Sequence, residues 1–226
     1  MLLGFHVILS AYGFWLPNDP RGSWSDFVCA WDLFRYGPAK KVNTRSSVAH
    51  VPHDRDLRRA AKRALKYPPV RFTDDQIAMI PDGFAVAAAE GHYAIHACAI
   101  LPDHVHLILG PQERPIGRVV GHLKSKASMA LRRAGMHPFE SYADDTDRVP
   151  TCWAEDYWKV YIYSKEHMHK AVRYVENNPI KEGCARQLGN SCSRCPIEFL
   201  ANTSRARWLI VGNHANPSHL ATSLAR

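Results

Sequence analysis

Residues Tyr93–Leu109, YAIHACAILPDHVHLIL, decide the fold. Tyr93 to Leu101 has strand composition, Pro102-Asp103 interrupts it, and His104 to Leu109 resumes it. Two strands this close together pair antiparallel. Downstream, Ile116 to Ala134 predicts a helix, with Val119, Val120, Leu123, Ala127, Ala130 and Leu131 near helical spacing. An acidic, Pro-containing loop covers 135–150. A strand follows over Tyr157 to Tyr163, then a helix capped by Ser164, running to about Asn177 and terminated by Pro179. Upstream, Gly4 to Ala11 reads as a buried strand entering the turn-rich Tyr12–Gly22. Residues 23–53 show no clean period and read as loop with some short helix. Asp54 to Lys66 reads as a solvated helix ended by Pro68-Pro69. Thr73 to Gln76 fits a capping box for a helix to about Glu90, with a break expected at Pro81-Asp82-Gly83 and a stop at Gly91. Strands and helices alternate without a phosphate loop of the βαβ kind. The class is α+β, an antiparallel sheet covered by helices.

The chain has 226 residues, 46% of them hydrophobic and 22% charged, with a formal charge of +8 and a sequence pI near 9.3. That content supplies a sizeable core and argues against wholesale disorder. Six scattered Cys do not make a secreted disulfide framework. No apolar run approaches the ~18 residues of a membrane span, and Met1–Val7 lacks the basic start and cleavage site of a signal peptide. The expectation is a cytoplasmic protein. The surplus charge permits a polyanionic partner, although solubility alone also explains it.

Two features carry chemistry. In a strand, residues two apart share a face, so His104 and His106 project side by side while Val105 and Leu107 point into a core. A shared divalent cation would hold both imidazoles neutral. In a chain with 13 His, such a pair also arises by chance. On the helix after Ser164, Tyr174 and Asn178 are four apart and lie on one face. They flank the apolar stripe of Met168, Ala171, Val172 and Val175, at the border of core and solvent. An ordinary helix Tyr and a C-terminal Asn before Pro fit the same positions. Taken together, two imidazoles and an amide oxygen make a three-ligand set with open positions, suited to Mg or Mn. Such an ion polarises a phosphoryl oxygen, and a tyrosine beside it can attack phosphorus and hold the cut strand. Tyr157, Tyr161 and Tyr163 are rival nucleophiles, but none is followed four residues later by an Asn and then Pro.

Four stretches resemble the HUH single-tyrosine transposases, in particular the REP-associated tyrosine transposases. They are Tyr12–Gly22 (YGFWLPNDPRG), Ala99–Ile108 (AILPDHVHLI), Leu123–Lys126 (LKSK) and Arg173–Gly183 (RYVENNPIKEG), in family order. Asn18 stands where the family commonly has Gly, and Trp153–Trp158 departs from its usual wording, which bears on local DNA contacts. The resemblance implies a ferredoxin-like core of the HUH endonuclease type over residues 1–183, with 184–226 as an extension. It implies Tyr174 as nucleophile, and His104, His106 and Asn178 as the metal site. It implies nicking and rejoining of single-stranded DNA beside palindromic hairpins through a 5′-phosphotyrosine.

A single-stranded substrate needs phosphate neutralisation and stacking surfaces. Lys124, Lys126, Arg132 and Arg133 are candidates for the first, with Arg21 in the family-like loop; Trp15, Trp24, Trp158 and Tyr161 are candidates for the second. A solvated helix face and core packing explain the same residues. In the tail, Cys192, Cys195, His214 and His219 have zinc-ligand chemistry, with plain reduced thiols as the alternative. Three functions remain open: a metal-dependent strand transferase, a domesticated hairpin-DNA-binding protein without strand transfer, and a metal phosphodiesterase using water. Whether the chain works as a homodimer is likewise open.

Overall fold

The structure, a computed structural model, describes residues 1–16, 19, 31–37, 54–181 and 207–210. Strand β1 (Gly4–Ala11) is buried along nearly its whole length, which accounts for its unbroken apolar character. It lies between β3 (His104–Leu109) and β4 (Trp153–Ile162), antiparallel to both. Strand β2 (Ile95–Ile100) pairs antiparallel with β3 on the far side. The order β4-β1-β3-β2, reached through the sequence strand–helix–strand–strand–helix–strand, is ferredoxin-like. A short fifth strand, β5 (Arg207–Ile210), adds to β2 in parallel. It falls in the stretch around Trp208 that is apolar in the sequence, and it makes the sheet mixed at that edge.

Side-chain alternation separates two faces. Phe5, Val7 and Leu9 of β1 and Val105, Leu107 and Leu109 of β3 point to one side. There they meet Ile77, Ile80 and Phe84 of α3 (Asp74–Gly91) and Val119, Leu123 and Ala127 of α4 (Ile116–Arg133). Ala97, Ala99, Ile108 and Ile162 point to the other side, where α5 (Lys165–Lys181) covers β2 and β3 through Ala171 and Val175. Burial on both faces makes these strands read as apolar runs. The short α1 (Trp31–Phe34) and α2 (Arg55–Arg63) form a satellite cluster in which Leu33 and Ala61 pack with Leu16.

The expected caps are present. Thr73 and Gln76 form the reciprocal box at the start of α3, and Ser164 Oγ accepts from His167 N at the start of α5. Three expectations are corrected. Helix α3 runs unbroken through Pro81 and Gly83, both of them buried. An added Cβ at Gly83 would lie 2.4 Å from Ala127 Cα, so this glycine marks the close crossing of α3 and α4. Helix α5 continues past Pro179 to Lys181 rather than ending at Asn177. Strand β4 starts at Trp153, four residues before the apolar alternation becomes visible, because Glu155 and Asp156 point to solvent there. No helix among the described residues is long and apolar enough to cross a membrane.

Candidate active site

The face of the sheet under α5 is polar at one end. The β1–β3 register sets Ser10 opposite His104, Ile8 opposite His106 and His6 opposite Ile108. His6, His104 and His106 therefore share one face, and His6 and His106 are diagonal neighbours, a separation aromatic rings can bridge. His104 Nε2 and His106 Nε2 lie 3.1 Å apart, and His6 Nε2 lies 3.0 Å from His106 Nδ1. His104 Nδ1 is 2.7 Å from Asp103 Oδ1. A carboxylate only accepts, so His104 donates from Nδ1 in this contact, and in the neutral ring the lone pair then lies on Nε2. Asp103 is itself held by Arg71 at 3.6 Å.

Tyr174 comes to the same place from α5. Its ring stands edge-on to His6 and His106, with centroid separations of 5.7 Å to each. Ala171 and Val175 anchor that helix face in the core, while Tyr174 stays 43% exposed, backed by packing and reachable from solvent. One turn on, Asn178 is buried, and its Nδ2 has no hydrogen-bond partner. Around the rim, Trp158 packs edge-on to His6 at 5.5 Å, and Phe14 stacks on His104 at 5.0 Å. Trp15 leans on Phe14 and donates from Nε1 to Ser10 Oγ at 2.7 Å. The chain turns into this segment at Gly13 (φ +77°), where a Cβ would also meet Leu65 and Pro69 at 2.9 Å.

Burial sets the charge state of the cluster. It pushes the proton affinity of His106 well below the ordinary histidine value, and the neighbouring His104 and His6 act in the same direction. Burial lowers His6 to about 4, with His167 adding to the effect. Both rings are neutral at pH 7 and present lone pairs. The donor set suits a divalent ion. Two nitrogens about 2.1 Å from one cation, seen at a right angle, lie about 3 Å apart, which the two Nε2 atoms match at 3.1 Å. The unpartnered amide end of Asn178 becomes an oxygen on a half-turn of the group. Among the described residues, no group of three or more His, Cys, Asp or Glu could hold a metal ion.

The residues expected to bind DNA are distributed otherwise. Trp15 and Trp158 line the histidine face. Lys124, Lys126 and Arg132 belong to α4, which packs on the opposite face, and each has partners within the chain. Lys124 Nζ donates to the carbonyls of Ala154, Glu155 and Asp156 at 2.7, 3.1 and 3.0 Å. Lys126 pairs with Glu90 at 2.6 Å, and Arg132 pairs with Glu140 and Asp147. Tyr161 packs on Phe5, away from the histidines. Arg21, Trp24 and the tail residues Cys192, Cys195, His214 and His219 lie outside the described residues. The sequence reading missed His6, Phe14 and the role of Asp103. Asp103 carried a signal, since it directly precedes the histidine pair; His6 carried none beyond being one polar residue in an apolar strand.

Fold and site define a ferredoxin-like α+β protein with a histidine–tyrosine centre under its last long helix. The chain belongs to the IS200-like transposases, whose family pattern matches residues 65–178. These are enzymes that cleave and rejoin DNA. A REP-associated tyrosine transposase bound to a REP hairpin is similar in structure, at 13% identity and TM-score 0.42, over 83% of this chain and 73% of that one. A putative transposase from Deinococcus radiodurans R1 is similar at 15% identity and TM-score 0.35, over 78% and 91%. No curated protein matches the chain.

Proposed function

We propose that the chain nicks and rejoins single-stranded DNA beside palindromic hairpins, with Tyr174 as nucleophile. The observation that carries this reading is the position of Tyr174, whose ring contacts His6 and His106 from a helix that the fold anchors across the sheet. The motif resemblance to REP-associated transposases supports the hairpin substrate. Attack of the phenolic oxygen on phosphorus forms the Tyr174 O–P bond and breaks the P–O3′ bond. The phenol loses its proton and the leaving 3′ oxygen gains one. One phosphodiester replaces another, so the step is close to isoenergetic and a free 3′-hydroxyl reverses it. His104 and His106, with Asn178, would hold a Mg or Mn ion, which supplies charge neutralisation at the phosphoryl oxygens when bound. Asp103 fixes the ring of His104. Trp158 and Trp15 offer stacking surfaces at the rim.

The test is incubation of the full chain with 3′-labelled hairpin DNA and Mn or Mg, followed by denaturing electrophoresis. A protein-linked strand is expected from the unaltered chain. Tyr174→Phe should retain DNA binding and lose the adduct by at least two orders of magnitude. An adduct of equal yield in that variant overturns Tyr174 as nucleophile. Cut DNA that is never linked to protein points to water as nucleophile instead. DNA that is bound and never cut points to hairpin recognition without strand transfer.

A further inference from the structure

We infer that His6 is a positioning residue that fixes the tautomer of His106, so that both Nε2 lone pairs of the histidine pair face a cation. The inference rests on the reading of that pair as a cation site. His6 lies outside residues 65–178, the stretch matched by the family pattern.

The argument is one of proton counting along a chain of contacts. His104 is settled by Asp103, which takes its Nδ1 proton. His106 has no carboxylate behind it. Its Nδ1 faces another imidazole, His6 Nε2, at 3.0 Å. Both rings are buried, His6 8% and His106 3% exposed, so neither contact is readily replaced by water. Each neutral imidazole carries one proton, which leaves two consistent arrangements. In the first, His6 Nε2–H donates to His106 Nδ1, and His106 Nε2–H donates to His104 Nε2; this satisfies the 3.1 Å contact between the pair and closes the site to a cation. In the second, His106 Nδ1–H donates to His6 Nε2, His6 holds its proton on Nδ1, and both Nε2 atoms of the pair offer lone pairs. Passing from the first to the second moves the proton of each ring from Nε2 to Nδ1 and changes no net charge. His6 is the acceptor that the second arrangement requires. Metal-bound histidines are generally oriented by such a partner on the other ring nitrogen, and losing it costs ~10–100-fold in metal affinity.

Binding of Mn alone, counted by electron paramagnetic resonance of the free ion, tests this on the full chain. His6→Phe keeps a ring of similar size against Trp158 and Tyr174 but has no acceptor. Its Mn dissociation constant is expected to rise by about 10–100-fold. His6→Gln restores an acceptor oxygen and is expected to stay within a few-fold of the unaltered chain. Should His6→Phe fail to fold by circular dichroism, nitrogen-15 NMR of the unaltered, histidine-labelled chain decides. Addition of zinc as a diamagnetic ion should move His106 and His6 from the Nε2–H to the Nδ1–H form while His104 stays Nδ1–H. Equal Mn binding by a folded His6→Phe, or a His6 that remains Nε2–H in the loaded protein, overturns the inference and leaves the cation site standing. No Mn binding by the unaltered chain overturns the cation site and this inference together.

Discussion

Acid should unfold this protein through His6. The ring is buried against His106, Trp158 and Tyr174, with His167 near enough to disfavour a second positive charge. Its proton affinity falls from the ordinary 6.5 to about 4 in the folded chain. Between those two values the unfolded chain binds the extra proton and the native chain does not, so falling pH favours unfolding. The stabilisation is complete above pH 6.5 and is lost progressively as the pH falls through about 4. Linkage puts the loss between pH 7 and pH 5 at about 2 kcal/mol, and the full loss at about 3 kcal/mol. His106, displaced in the same direction, adds to it. The assay is urea unfolding at pH 7 and pH 5 with chelator present, on the unaltered chain and on His6→Gln. Carboxylate titration is common to both proteins and cancels in the difference. The unaltered chain should lose about 2 kcal/mol more than the variant over that interval. Equal losses in the two proteins would refute the claim that His6 is held neutral by the fold.

Two other substitutions probe the scaffold. Gly83→Ala gains about 1 kcal/mol of helix propensity. Its Cβ, however, meets the backbone of α4 at 2.4 Å, and such overpacking costs ~1–3 kcal/mol or more. Net destabilisation in thermal unfolding is expected, and a variant of raised melting temperature would deny the close crossing. Lys124→Met removes the donor that three β4 carbonyls share. The part-buried bond to the Ala154 carbonyl is lost with no donor to replace it, so a loss of about 1–3 kcal/mol in urea unfolding is expected. Unchanged stability would return that lysine to the pool of free surface cations.

The parts of the site that could be read in the sequence depend on local geometry alone. The two-residue period of a strand puts His104 and His106 on one face whatever the rest of the chain does, and the helical repeat does the same for Tyr174 and Asn178. The order of strands and helices is similarly local, and it suffices for an α+β class with an antiparallel sheet; the ferredoxin-like strand order came from the family resemblance. What escaped depends on register. His6 meets His106 because β1 pairs with β3 so that Ile8 stands opposite His106. A slip of one residue would bury His6 on the far side, among Phe84 and Leu123. No feature of GFHVILSA by itself reports that alignment.

The partners of the α4 cations could not be read from the sequence for a related reason. Lys126 and Arg132 look solvated along their own helix, but their partners, Glu90, Glu140 and Asp147, come from segments that only the fold brings close. Lys124 goes further, because its partners are backbone carbonyls that no sequence pattern marks. Pro81 misleads in the opposite sense. A proline predicts a break when a helix stands on its propensities, but α3 is fixed by burial of Ile77, Ile80 and Phe84, and one lost backbone bond does not outweigh that packing. The same principle makes α5 a firm mount for Tyr174. Ala171 and Val175 hold it to the sheet, so Tyr174 reaches the histidines by the placement of a rigid element rather than by a mobile loop. A tyrosine held this way stays partly exposed while its ring remains against His6 and His106 beneath it.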